Sequence, residues 1–377
     1  MKTLPFSLLA AEALRTLGEG LFALPLFAMA ALQSPAPWQA TLPFTMARLA
    51  NLLALPLGAV VDRWERGRLL VVAVLLQALL ALGLLLGMPF LLVLAAPFFL
   101  LSTLVGLGTA ALLADMVRKE ELERARGRVG AVHIAVDSLK DPLAGFLLTR
   151  SPWLPPFLAF AAFSLASLLY LGLPRGKLRA MRPSFNRGEV LSGLRFLWQA
   201  PSLRRVLIAE ILYTFSFALV VSLIPFLILR VLEQTPFVYG VASLFLGGGS
   251  FSGSLLGGEL TARMGRGRML RTALLVGSAG CFFMAWPMHW GLVAVGAFLL
   301  GLGALAFFVV AGAIRLGEAP FELRGRVSGG FTFLSGILAP LGPILGGVLA
   351  TVSLPLPFAL MGILLLVLVP FVGKQMR

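Results

Sequence analysis

The sequence predicts an all-α integral membrane protein, with twelve transmembrane helices in two pseudo-symmetric six-helix bundles. Composition is the first reason, because 59% of the 377 residues are hydrophobic and only 12% are charged, with a mean hydropathy of +0.96. A soluble domain carries about 45–50% apolar and about 25% charged residues. The second reason is a succession of apolar runs, each about 20 residues long and able to cross a bilayer. The third is an internal repeat that relates the two halves of the chain.

The apolar runs divide the chain into twelve spans. These must be helical, because lipid offers no hydrogen-bonding partner to a free backbone amide. We expect the spans at residues 6–32, 38–61, 69–87, 89–114, 129–149, 153–174, 203–229, 237–261, 269–287, 290–314, 327–350 and 354–373. The predicted domains are one bundle at 1–174, a cytoplasmic linker at 175–202 and a second bundle at 203–377.

The lysines and arginines indicate which side of the membrane each loop faces. All but five of the 31 lie in the termini or in alternate loops, and the exceptions are Arg15, Arg48, Lys140, Arg150 and Arg230. Because cytoplasmic loops carry an excess of basic residues, we expect both termini in the cytoplasm and the protein in the inner (cytoplasmic) membrane. The net charge of +15 is then mainly a topology signal, and no nucleic-acid partner is expected.

The predicted linker contains a short amphipathic segment. Its apolar residues recur at helical spacing: Val190, Leu191, Leu194, Leu197 and Trp198. This pattern favours a helix lying on the inner membrane surface. A regulatory or partner-binding arm is the alternative.

Two short motifs recur in the two halves. GAVVDRWERGR at 58–68 returns as GELTARMGRGR at 258–268, and RGRV at 126–129 returns at 324–327. Both motifs occupy corresponding cytoplasmic joints. Two parallel six-span halves imply a pseudo-twofold axis along the membrane normal and a cavity at their interface.

The first of these joints resembles the signature of the major facilitator superfamily, a GxxxDRxxRGR-like sequence between the second and third spans. The matching residues are Gly58, Asp62, Arg63, Arg66, Gly67 and Arg68. Within that superfamily, LGEGLFALPLFAMA at 17–30 and ELRGRVSG at 322–329 are similar to the branch of macrolide and enterobactin-type exporters. The resemblance implies the fold, an export function and no enzymatic activity.

The resemblance also implies which residues gate the cytoplasmic side. The implied gating set is Gly58, Asp62, Arg63, Arg66, Arg68, Arg263 and Arg266. Tight turning, eased by the glycines, and topology alone are the alternative explanation. The second joint departs from the motif, since Ala262 replaces the aspartate. The KDPLAGF segment at 140–146 also departs from the exporter pattern, because Asp141 precedes Pro142 where a glycine is expected. We expect packing or hinge roles for Pro142, Gly145, Gly342 and Pro343.

Ionisable residues within the spans are candidate site residues, because charges at membrane depth usually face a cavity or a partner. Helical spacing places them on two stripes, Glu12, Arg15 and Glu19 in the first span and His133, Asp137, Lys140 and Asp141 in the fifth. Arg48 and Glu210 are further ions within spans. At offset 198, Lys140 and Asp141 correspond to Leu338 and Ala339, so the second half is expected to be largely apolar.

Carboxylates beside cations are candidates for proton coupling, because desolvation and an ionic partner act oppositely on their protonation. The proposed proton-binding acids are Glu19, Asp137 and Asp141, with Arg15 and Lys140 as modulators. Static salt bridges between spans are the alternative. His133 is expected to be a solvated residue near the cytoplasmic joint, with proton relay as its alternative role.

The sequence contains no P-loop, metal-binding or redox motif, so neither a metal nor a cofactor is expected. The predicted function is proton-coupled antiport that exports amphipathic or lipophilic small molecules by alternating access. The expected partners are that cargo, protons and the bilayer, and the expected state is a monomer. A lysophospholipid flippase and a non-transporting receptor or scaffold are the two alternatives.

Overall fold

The computed structural model describes residues 5–86, 91–117, 121–173, 196–319 and 324–373, and these ranges contain helices and no strand. The amphipathic segment predicted in the linker lies outside the described residues, apart from a helical turn at 196–199. The helices before the linker are α1 (Phe6–Gln33), α2 (Pro37–Ala40), α3 (Leu42–Leu52), α4 (Ala54–Arg63), α5 (Arg66–Gly83), α6 (Leu91–Met116), α7 (Leu122–Arg150) and α8 (Leu154–Leu171). Those after it are α9 (Pro201–Phe226), α10 (Pro236–Met264), α11 (Arg266–Ala285), α12 (Trp290–Glu318), α13 (Arg324–Gly336), α14 (Leu341–Val352) and α15 (Pro355–Gly373).

Two predicted spans are not single helices. The span at 38–61 is divided into α2, α3 and α4, with a bend of 59° between Leu42–Leu52 and Pro56–Arg63. The span at 327–350 is divided at a turn between α13 and α14. A proline fits the first turn of a helix but disrupts its interior. Pro56 lies in the first turn of α4, and Pro340 directly precedes α14, so each proline marks a point where a new helix begins.

Nine helices in the described ranges are long and apolar enough to cross a membrane, and the bent α3–α4 pair makes a tenth. Helices α7 and α10 are each 29 residues long, which also exceeds the length of one crossing. Their sequences are less apolar, because α7 carries many charges and α10 is rich in glycine and serine. Large side chains such as Leu79, Leu168 and Val367 are 57–62% exposed, as expected for surfaces that face lipid.

By its contacts the chain forms two compact units. The first comprises Met1–Gln33, Leu49–Pro183 and Thr235–Gly240, and the second comprises Ser34–Arg48, Ser184–Gln234 and Val241–Arg377. The segment Ser34–Arg48 falls within the bundle predicted at 1–174, but it makes its contacts with the second unit. The reason is that α2 packs closely on α14, since a Cβ added to Gly347 of α14 would lie 2.3 Å from the Cα of Trp38.

In the first unit, α1 packs against α7 and α8, and α5 packs against α8. The core is aromatic, because the rings of Phe22 and Phe98 stack with centroids 3.7 Å apart and Phe163 meets Phe98 edge-on at 5.9 Å. Gly18 leaves room for the Phe163 ring, since a Cβ on Gly18 would lie 2.9 Å from the ring. This core brings α1, α6 and α8 into side-chain contact, and α7 packs on α1, which positions the site described below.

In the second unit, α11 packs against α12 and α15, and α9 packs against α14. Small residues allow these close approaches. A Cβ on Gly280 of α11 would lie 2.6 Å from the carbonyl oxygen of Gly296 of α12, and a Cβ on Gly253 of α10 would lie 2.2 Å from that of Leu302. These glycines therefore form packing surfaces between the helices.

We expect Gly280→Ala to destabilise the second unit by about 1–3 kcal/mol, because the added methyl group overpacks a backbone contact. Gly106→Ala in α6 is the matched control, since a Cβ there meets nothing within 4 Å. Thermal unfolding of the detergent-solubilised variants checks this expectation. Equal melting temperatures for the two variants would contradict the packing role assigned to Gly280.

Candidate functional site

A buried carboxylate, Glu12, lies at the centre of an ion cluster in the first unit. Arg15 contacts its Oε2 through Nε at 3.1 Å and Nη2 at 3.0 Å. Thr109 of α6 and Tyr170 of α8 donate to its Oε1 at 2.7 and 2.5 Å. Nε2 of His133 on α7 lies 2.8 Å from Oε2. Four helices therefore meet at one side chain that is 0% exposed.

Arg15 bridges two carboxylates on α1. Besides Glu12, its Nη1 contacts Oε1 of Glu19 at 2.6 Å, and 22% of the Glu19 side chain is exposed. The three residues share one helix face, as their spacing predicts. Removing one partner from a buried pair leaves an uncompensated charge that costs several kcal/mol. The geometry thus holds Glu12 as an ion and leaves Glu19 at the edge of the cluster.

His133 is only partly solvated, because it also belongs to the Glu12 cluster. Its side chain is 34% exposed, and Nε2 lies against Glu12 and 3.4 Å from Nη2 of Arg15. Three helical turns separate His133 from the start of α7 at Leu122, so it lies about 16 Å along the helix from that end. Its position four residues before Asp137, on the same face, is the sequence signal that indicates this placement.

The second predicted stripe forms its own ion pair on α7. Nζ of Lys140 lies 2.6 Å from Oδ1 of Asp137, and 55% of the Asp137 side chain is exposed. The Lys140 stem packs on α1, where a Cβ added to Gly20 would lie 2.5 Å from its Cγ. Asp141 is half-buried one residue further along. The structure therefore places both stripes in the first unit, along the contact between α1 and α7.

Arg48 does not join this cluster. It is half-buried at the end of the Ser34–Arg48 segment, which belongs to the second unit. Across the described residues, it forms no ion pair or hydrogen bond with a side chain.

The joint between α4 and α5 has ion pairs that the sequence did not identify. Nη1 of Arg66 pairs with Asp115 at the end of α6 and also donates to the carbonyl oxygen of Ala111 at 3.3 Å. Nε of Arg68 pairs with Oε2 of Glu65 at 2.9 Å. The pair between Arg66 and Asp115 joins α5 to α6 across the joint.

Asp62 and Arg63 are exposed, and neither forms an ion pair within the described part of the chain. In this conformation Arg66 pairs with Asp115 and not with Asp62. The steric role that tight turning would give Gly58 is wrong, since an added Cβ there meets nothing within 4 Å.

At the second joint, Nη2 of Arg263 lies 2.6 Å from Oε1 of Glu259, and both side chains are more than half exposed. Arg266 is exposed at the start of α11. Gly265, between the two helices, has φ of +84°, a conformation that glycine adopts without strain. The chain therefore turns at this joint although Ala262, and not an acid, is present there.

The predicted packing residues lie at helix crossings. A Cβ on Gly145 would lie 2.4 Å from the carbonyl oxygen of Pro236, and Pro142 is accommodated within the continuous helix α7. A Cβ on Gly342 would lie 2.8 Å from the carbonyl oxygen of Phe215, and Pro343 is buried in the first turn of α14.

The second unit contains a buried ion that the sequence identified only as a charge within a span. Glu210 of α9 is 9% exposed, with Arg315 of α12 and the Ser335 hydroxyl of α13 beside it. Cζ of Arg315 lies 4.8 Å from the centre of the Phe331 ring. The expectation of a largely apolar second half is therefore incomplete.

The sequence matches a known protein family. Residues 8–256 and 206–373 match the Major Facilitator Superfamily. The chain belongs to that superfamily. It is therefore an integral membrane protein of a transporter family, which confirms the predicted fold class.

A curated protein is also similar to this chain in sequence. The uncharacterized MFS-type transporter YceJ of Bacillus subtilis (strain 168) is 25% identical over 238 residues. The match covers 63% of this chain and only 55% of that relative.

Solved transporter structures share the fold. The nucleoside transporter NupG superposes with a TM-score of 0.74 at 14% identity, covering 97% of each chain. A bacterial homologue of the human lysosomal transporter Spinster gives 0.71 at 14% identity, over 97% of this chain and 93% of that one. A peptide transporter POT gives 0.73 at 12% identity, over 99% and 95%. At these identities the likeness establishes the fold alone.

We expect Glu12→Gln to lower folding stability by about 3–5 kcal/mol, because the amide leaves the Arg15 charge buried with fewer acceptors. Glu259→Gln is the control, since its ion pair is exposed and contributes little. Melting temperatures in detergent check the difference. A Glu12→Gln protein as stable as the Glu259→Gln protein would show that the cluster does not hold the bundle together.

We expect Asp115→Asn to slow transport about fivefold, because losing about 1 kcal/mol from an ion pair unbalances two near-equal conformations. Asp62→Asn, which removes no ion pair seen here, should have a smaller effect. Initial rates of dye transport into proteoliposomes measure both. A larger effect of Asp62→Asn would instead support the gating role that the family motif implies.

Proposed function

We propose that this protein is a secondary transporter that exports amphipathic or lipophilic small molecules by alternating access, in exchange for protons. The proposal includes the exporter branch indicated by the sequence, an inner-membrane location and cytoplasmic termini. The observation that carries it is the line of partly exposed ions along α1 and α7 in the first unit. Membership of the superfamily supports transport in preference to a receptor or scaffold role.

The polar line contains acids that are paired but still reachable by solvent. Glu19 and Asp137 each contact one cation at 2.6 Å, and 22% and 55% of their side chains are exposed. Such an acid is still solvated by water when its partner moves away, so it can exchange a proton as its surroundings change. Glu12 differs, because both oxygens of its carboxylate already accept hydrogen bonds from buried partner side chains.

The contrast between the repeats supports the proposed cargo class. The α7 positions Asp137, Lys140 and Asp141 carry charges, whereas the second-half positions at offset 198 are Ser335, Leu338 and Ala339. Phe333, Ile337 and Leu338 are 37–42% exposed. A chain that has ionic groups on one repeat and exposed apolar groups on the other offers both kinds of contact that an amphipathic cargo needs.

We expect purified protein to concentrate ethidium inside proteoliposomes that have an acidic lumen, and a proton ionophore to abolish the accumulation. Asp137→Asn should reduce gradient-driven accumulation to near that of protein-free liposomes, because the exchangeable acid is lost. Dye equilibration without a gradient should persist in this variant. Fluorescence quenching measures each case, and Glu259→Gln serves as the control for loss of an exposed acid.

A parallel assay with fluorescent lysophosphatidylcholine tests the flippase alternative. Gradient-independent movement of the lysolipid, with no movement of ethidium, would replace the proposed function by lipid translocation. Movement of neither probe would contradict export of amphipathic molecules. Ethidium movement that ignores the pH gradient would contradict the proton coupling alone.

A further inference from the structure

Glu12 and Glu210 are the two buried acids among the described residues. Both residues lie on the first long helix of their half, α1 and α9. Each unit therefore has one buried acid on its first long helix, and the sequence around each acid is different.

The neighbours of the two acids differ. Arg15 follows Glu12 by three residues, whereas the residue three positions after Glu210 is Tyr213, whose buried hydroxyl has no hydrogen-bonding partner among the described residues. Glu210 thus has no cation one turn along its own helix. Its positive partner is Arg315, which comes from α12 and also lies over the Phe331 ring. Glu12 has four partner side chains, whereas Glu210 has one cation and one hydroxyl.

The hydroxyl beside Glu210 can serve either protonation state. Ser335 Oγ donates to the carbonyl oxygen of Thr332 at 3.1 Å, and a hydroxyl has only one hydrogen to donate. In this arrangement Ser335 can accept a hydrogen bond from a protonated Glu210. If Glu210 is ionised, rotation of the hydroxyl turns the same hydrogen toward the carboxylate. Two satisfied arrangements therefore exist, and they differ by one proton.

Among the described residues, one charged side chain acts on Glu210. The elements packed against α9 include α2, α12, α13, α14 and α15. Of these, α2, α14 and α15 contain no Asp, Glu, His, Lys or Arg. Among the described side chains, Arg315 of α12 is the charged group facing Glu210, and Ser335 of α13 is the hydroxyl facing it. The charge of Glu210 is therefore balanced by a single residue on another helix.

We propose that Glu210 is a proton-binding site of the transport cycle, with Arg315 and Ser335 as its positioning residues and Glu12 as its permanently ionised counterpart. Movement of α12 relative to α9 would separate Arg315 from the carboxylate and favour proton uptake, and their return would favour release. This inference rests on the proton coupling in the proposed function. It adds an acid in the second unit to the candidates of the first.

Infrared spectroscopy of the detergent-solubilised protein tests the site without any cargo. We expect the carbonyl stretching band of protonated carboxyl groups to titrate with pH in the wild type, and Glu210→Gln to remove that component. Glu12→Gln, which removes the other buried acid, is the control and should retain it. Glu210→Asp keeps an acid and should retain a shifted band, which separates loss of the site from misfolding. Ser335→Ala should move the midpoint of the titration.

Ethidium transport then links the site to function. Glu210→Gln should abolish accumulation driven by a pH gradient while preserving dye equilibration without a gradient. An unchanged infrared titration, or full gradient-driven accumulation in Glu210→Gln, would overturn the inference. If the wild type moves ethidium without regard to pH but shows the Glu210 band, proton coupling fails as a function while the protonation site stands.

Discussion

The burial of one ionised carboxylate, Glu12, constrains the whole first unit. Lipid and apolar side chains cannot solvate a charge, so the protein must supply every partner. Here α1, α6, α7 and α8 each supply one, through Arg15, Thr109, His133 and Tyr170. Displacing any of these helices would leave the charge less satisfied. The aromatic core around Phe98 fills the space between the same helices, and the ion cluster fixes their register.

This constraint separates the ions of the membrane region into two kinds. Glu12 is saturated with donors, and its role is to hold helices together. Glu19 at the edge of the cluster, Asp137 in its own pair with Lys140, and Glu210 in the second unit have few partners each. Ions of the second kind can change partners as helices move. An alternating-access transporter needs both kinds, because rigid bundles must move while particular charges respond to their surroundings.

The sequence predicted the helices because an apolar run of bilayer length has only one stable backbone conformation in lipid. It did not predict the division of the second and eleventh spans, although Pro56 and Pro340 mark both. The charged stripes on α1 and α7 followed from helical spacing. Thr109 and Tyr170 could not be predicted as partners of Glu12, because contacts between helices depend on packing that spacing does not encode. Glu210 was evident as a charge within a span, but Arg315 and Ser335 could not be predicted as its neighbours for the same reason.

The most direct test of the account is proton movement caused by cargo. Proteoliposomes that contain the pH-sensitive dye pyranine and have no preformed gradient would receive ethidium from outside. Proton antiport predicts that the lumen becomes more alkaline as ethidium enters, in proportion to the amount of protein, and that protein-free liposomes give no signal. Ethidium entry with a constant pyranine signal would show that the buried acids are structural ions only, and the coupling mechanism would be wrong.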